Sequence, residues 1–272
     1  MIDSTCLAAS FFFFSANLLR CIDRVADFET GATGIDFYKW SNLDTEYIEI
    51  QWGLRLDKTD LRSAIGVLNV VAWLFFTVPM LQVGWILSKG GKEKLSSCFL
   101  LMGLAVAGCT VEIVARLMLE GSSHAGRHLV TKYELNDWPE PFIGWKVLEL
   151  LHIVTDSMSM WVNAFEWISL SGVLSLVFVA SYNEINAATG YSSFGKLWSQ
   201  FSLLISTLCW FDFLAEVLRL VDWVYFTRLA TGVSIVNTLL FLPIWLLVLG
   251  LHLPAARAQF EVNIVKTSEP VV

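Results

Sequence analysis

Residues Trp145–Tyr182 read WKVLELLHIVTDSMSMWVNAFEWISLSGVLSLVFVASY. Inside this apolar stretch stand Glu149, His152, Asp156, Ser159, Asn163 and Glu166, at successive spacings of 3, 4, 3, 4 and 3. A helix places all six on one stripe. Apolar segments elsewhere also carry charges: Glu112 and Arg116, then Asp212, Glu216 and Arg219. A charge that faces lipid costs several kcal/mol, so such residues turn toward a partner or a wet cavity. The pattern predicts a helical membrane bundle with a polar interior.

Composition agrees. Of 272 residues, 56% are hydrophobic and 16% charged, whereas soluble domains carry about 25% charged residues. Six apolar runs are candidates to span a bilayer: 4–19, 64–87, 98–119, 145–182, 197–220 and 229–253. The first is short. No Lys or Arg precedes its apolar run and no A-x-A site follows, so it reads as a retained anchor, with a signal peptide as the alternative. Pro79 and Pro243 mark kinks in two spans. Residues 254–272 form a polar tail. The expected fold is an all-α polytopic membrane protein of about six helices, treated as a single membrane domain.

Two long connections, 21–63 and 120–144, predict a small extramembrane cap containing β-structure. Within Tyr47–Leu56, Ile48, Ile50, Trp52, Leu54 and Leu56 alternate with Glu49, Gln51 and Arg55. Ile35–Trp40 reads as a second strand, joined to the first through Ser41–Asp44. His128–Leu135 alternates as a third strand. A small sheet between the first two helices is similar in architecture to claudin-like tetraspan proteins. Their paired loop cysteines are absent, and Gly53-Leu54-Arg55 stands where an aromatic is wanted, so no function is carried across.

The turn between the second and third spans carries Lys89, Lys92 and Lys94 against Glu93. Short-loop Lys and Arg favour the cytoplasm, which puts both termini inside and the long loops outside. At 1.5 Å per residue, Glu112 and Asp212 then sit roughly 21 Å above the inner boundary and Glu166 roughly 24 Å. Arg116, Glu216 and Arg219 lie one or two turns higher, with Asn69 and Asn237 near the outer side. A layer in the outer half of the membrane thus gathers Glu112, Glu166, Asp212 and Glu216 with Arg116 and Arg219, and Asn163 one turn from Glu166. Glu112–Arg116 and Glu216–Arg219 have pairing spacings. Asp212 and Glu166 are left over and must bind a proton, bind a cation or meet water. Structural glue through interhelical ion pairs is the competing account.

The upper stripe has its own candidates. Glu149-x-x-His152 has helical metal-ligand spacing and Asp156 adds an oxygen on the same face. The alternative is the wet face of an amphipathic helix. A carboxylate four residues from His152 is expected to raise its pKa. The five cysteines show no CxxC and read as small buried residues. No cofactor is indicated, and neither a phosphate loop nor a nucleophile elbow occurs. No basic stripe suggests nucleic acid. The functional expectations are therefore a non-enzymatic bundle for assembly or partner binding, or else a cation- or proton-conducting channel, carrier or sensor. A metal-dependent intramembrane enzyme ranks third. Lipid and protein partners, or a homo-oligomer, are the expected company.

Overall fold

A computed structural model describes residues 2–29, 50, 52–53, 55–132, 137, 139–185, 194–219 and 232–268, and side chains at all of these except 24–29, 156, 157, 160, 163, 183–185, 219 and 263–268. The described chain is helical throughout its long elements: α1 Ser4–Glu29, α2 Thr59–Leu87, α3 Leu95–Thr131, α4 Pro141–Ile185, α5 Lys196–Arg219 and α6 Leu242–Ser268. A π-helix, Asn237–Phe241, leads into α6. Six helices are long and apolar enough to cross a membrane.

The helices form a ring in chain order. Each packs on the next, and α6 returns to α1. The α5–α6 seam is the thinnest contact around the ring. Its interior is filled by Phe13, Trp73, Phe76, Leu174, Trp198 and Trp245, among others. Glycines set the closest approaches. Gly108 of α3 leaves room for the Trp73 ring, whose atoms would stand 2.8 and 2.9 Å from a Cβ there. At the turn between α2 and α3, Lys89, Gly90, Gly91 and Lys94 all have positive φ. Glycine adopts that region without strain, which lets α2 reverse into α3 over few residues. Lys94 then donates to the Ala180 carbonyl at 3.2 Å, satisfying an acceptor toward the end of α4.

The cap strands are corrected. There is no strand among the described residues. Of Tyr47–Leu56, residues 50, 52–53 and 55–56 are described and are helical. The reason lies in what Trp52 and Arg55 reach: both bond Glu149 of α4. Residues three apart share a face on a helix and oppose one another on a strand. His128–Thr131 likewise belongs to α3, which runs on past Leu119. Ile35–Trp40 and the Ser41–Asp44 connection lie outside the described residues. With the sheet unsupported, the claudin-like analogy loses its basis. The tail beyond Pro254 also differs: α6 continues through it to Ser268.

Pro141 opens α4, where its missing N–H costs nothing. Pro243 has a larger local effect. The π register, with the Leu242 N–H bonded to the Asn237 carbonyl, falls immediately before it. A proline that removes an N–H and crowds the preceding turn favours such a bulge.

Candidate functional site

The first half of the charged layer is built by α2, α3 and α4. Glu112 is fully buried, and its Oε1 accepts the Arg116 Nε at 2.6 Å. Glu166 reaches the same place from α4 and accepts the Trp73 indole N–H at 2.6 Å. Its carboxyl faces both Glu112 and Arg116. Arg116 also faces Glu120, whose carboxylate meets the Ser63 hydroxyl of α2. Gly66 makes the space: a Cβ there would stand 3.3 Å from both Arg116 and Glu120. Two carboxylates, Glu112 and Glu166, thus share one guanidinium. Glu112 Oε2 has no hydrogen-bond donor.

The second half is built by α5 and the π-helix. Asp212 is 2% exposed, and among the described residues neither of its oxygens has a hydrogen bond of good geometry. The Asn237 amide lies beside it and donates through Nδ2 to Cys209 Sγ at 3.3 Å. Asn237 is fully buried, and its Oδ1 has no donor. Glu216, one turn along α5, also faces Asp212. Glu166 faces Cys209, so the two halves are contiguous. The structure therefore brings Glu112, Arg116, Glu166, Asp212 and Glu216 into one interior layer. Arg219 is the last residue of α5 and Asn163 lies one turn from Glu166; both side chains lie outside the description.

The upper stripe forms a separate cluster. Glu149 takes a bidentate pair from Arg55, at 2.6 and 3.1 Å, and the Trp52 indole N–H at 2.8 Å. These three donors leave it poorly placed as a metal ligand. The Trp52 ring sits edge-on to His152, 5.5 Å between centroids, and Gly126 of α3 receives it. Burial, with the Arg55 and Arg62 charges, pushes the His152 imidazole down to about 3. The expected upward shift is thus reversed, with burial the largest cause and the Arg55 and Arg62 charges adding to it. The Asp156 side chain lies outside the description, and no group of three metal-capable side chains occurs among the described residues.

Sequence reasoning missed Trp73, Cys209, Trp52 and Arg55 as partners in these clusters. Trp73 left one signal. It stands in the middle of a charge-free span, away from the interface that tryptophan favours, and a buried indole N–H needs an acceptor. Cys209 left none, since an isolated cysteine in an apolar run is ordinary. A third polar group went unnoticed: Arg257 of α6 donates to Asp3 and to Gln82 of α2. Compared with protein families, with curated proteins and with solved structures, the chain gives no match.

Proposed function

We propose that this chain is a non-enzymatic multi-pass membrane protein that takes up a proton or a cation in its interior carboxylate layer, as a carrier or sensor. One observation carries this reading: Asp212 is buried and, among the described residues, has only the Asn237 amide beside it as a donor, in a layer where Glu112 and Glu166 already share Arg116. Burying an uncompensated carboxylate costs far more than a folded chain can absorb, so the layer has to acquire positive charge. Glu166 is the pivotal group, because it faces both halves. Reconstituted protein should dissipate a proton or cation gradient, or melt at a temperature that follows pH or cation concentration. Glu166→Gln should abolish or reduce that response. A wild-type protein indifferent to pH and to every cation tested, with no flux, sinks the proposal.

A second reading is an assembly bundle that presents helix faces to lipid and protein partners or to further copies of itself. A serine ladder favours it. Ser171 and Ser175 of α4 both bond the Ser206 hydroxyl of α5, at 2.9 and 2.7 Å, and Ser181 donates to Ser199 at 2.8 Å. Small hydroxyls at a helix seam are a common device for holding membrane helices together. Under this reading Glu166→Gln lowers the melting temperature and leaves gradients unaffected.

A further inference from the structure

We infer that Asp212, Asn237 and the π turn ahead of Pro243 form a binding site for a desolvated monovalent metal cation of the Na+ class. The inference rests on the cation form of the function proposed above and names its site.

Among the described residues, three side-chain acceptors lack a hydrogen bond of good geometry: both Asp212 oxygens and the Asn237 Oδ1, while the Asn237 amide lies close enough to Asp212 to act as a weak donor to it. All are in residues at most 2% exposed. The Asn237 amide, which carries two N–H groups, donates to Cys209 Sγ, a weak acceptor, and also interacts with Asp212. The main chain adds to the surplus. A π turn inserts one carbonyl into the ladder, and Pro243, two residues beyond Phe241, supplies no N–H. Pro243 therefore leaves one carbonyl of the preceding turn without its ladder N–H. Thr238, the next residue, turns its hydroxyl back to the Ser234 carbonyl at 2.8 Å and so gives the surplus no relief.

A concentration of oxygen acceptors around one carboxylate is the chemistry of a hard cation. Broken or bulged membrane helices supply carbonyls to Na+ in this manner. Asp212 brings one negative charge, which a monovalent ion neutralises. A divalent ion would leave net charge in a low-dielectric interior, where an uncompensated charge is penalised heavily, unless Glu216, which also faces Asp212, gave its charge to the same ion. A proton on Asp212 would supply a single O–H for Asn237 Oδ1 and nothing for the carbonyl of the turn.

The test is a melting titration of the full chain in detergent, at one pH and constant ionic strength, with choline chloride replaced by NaCl, and by KCl and CaCl2 in parallel. A ligand that binds the folded chain raises its melting midpoint with the logarithm of its concentration above Kd. The wild type should show that rise with Na+. Asp212→Asn should lose the rise, and Asn237→Ala should move it to higher Na+ concentration. Gly121→Ala, on α3 with nothing within 4 Å of the added Cβ, should keep it. The wild-type titration and the Asn237→Ala titration carry the test if Asp212→Asn does not fold. A Na+ rise that survives in folded Asp212→Asn overturns the site. A response to Ca2+ alone overturns the monovalent assignment. A response to pH with none to any metal overturns this inference and leaves the proton form of the proposed function standing. Indifference to pH and to every cation overturns both.

Discussion

Arg116 holds the first half of the charged layer together. It is the described cation among Glu112, Glu166 and Glu120, and its bond to the fully buried Glu112 is short and charge-assisted. Removing one partner of a buried pair strands the other, which costs about 3–5 kcal/mol. Arg116→Leu should therefore lower the melting temperature sharply. Glu112→Leu combined with Arg116→Leu should recover part of the loss, because Glu112 is then no longer stranded while Glu166 still lacks the guanidinium. Additive losses in detergent melts would show that the two side chains act independently. His152 supports a second prediction. Its folded-state value is depressed to about 3 from 6.5 by burial and by Arg55 and Arg62. As pH falls, the unfolded chain takes the proton first. The contribution is thus intact above pH 6.5 and is lost progressively toward about 3, at about 1.4 kcal/mol per pH unit. His152→Gln should flatten the stability profile over that window. An unchanged slope in urea titrations at several pH values would show that the ring protonates freely in the folded protein.

At the scale of the helix, two glycines of α3 separate packing from propensity. A Cβ on Gly126 would collide with the Trp52 ring, while one on Gly121 meets nothing within 4 Å. Gly126→Ala should displace Trp52 and destabilise by about 1–3 kcal/mol, as overpacked sites do. Gly121→Ala should stabilise by about 0.5–1 kcal/mol, since alanine is the better helix former. The reverse order in chemical denaturation would mean that α3 does not carry Trp52 there. The same elements explain what could be read beforehand. Charge-free runs such as 64–87 and 229–253 announced spanning helices because length and apolarity suffice for that. The unbroken 3/4 spacing from Glu149 to Glu166 announced a long helix. The polar run Glu120–Thr131 did not read as helix, since its helical packing depends on Trp52, a residue distant in sequence. Tyr47–Leu56 read as a strand because period-two alternation is a local signal, and the long-range bonds of Trp52 and Arg55 to Glu149 override it. Within the charged layer, the depth arithmetic found Glu112, Glu166 and Asp212. The donors and neighbours contributed by α2 and α5, Trp73 and Cys209, required the ring to be closed.

Ring closure and orientation belong to the whole molecule. At one end, Asp23 of α1 lies 3.6 Å from Lys58 and 3.4 Å from Arg62. At the other, Asp3 caps α1 through the Thr5 and Cys6 N–H groups at 3.0 and 3.1 Å and receives Arg257 from α6. Burial opposes ionisation of Asp3, but these donors and the Arg257 charge outweigh it and hold the carboxyl below the usual range. The second end also carries the Lys89, Lys92 and Lys94 turn and Lys196 at the start of α5. Cations near short connections are retained in the cytoplasm, so this end is predicted to be the inner one, and six crossings return both termini to it. The cysteines suit a labelling test, since Cys6, Cys98, Cys109 and Cys209 are buried and Cys21→Ser removes the remaining one. In that background, Ser96→Cys places an exposed thiol beside the lysine turn, and Asp137→Cys places one between α3 and α4 at the opposite end. A membrane-impermeant maleimide applied to intact cells should modify the Asp137→Cys protein alone, and permeabilisation should expose Ser96→Cys. The opposite pattern would invert the molecule and put the carboxylate layer nearer the cytoplasmic face. Labelling of both thiols in intact cells would show that the two ends are not separated by a membrane, and would remove the bilayer from the case for burial of Glu112 and Asp212.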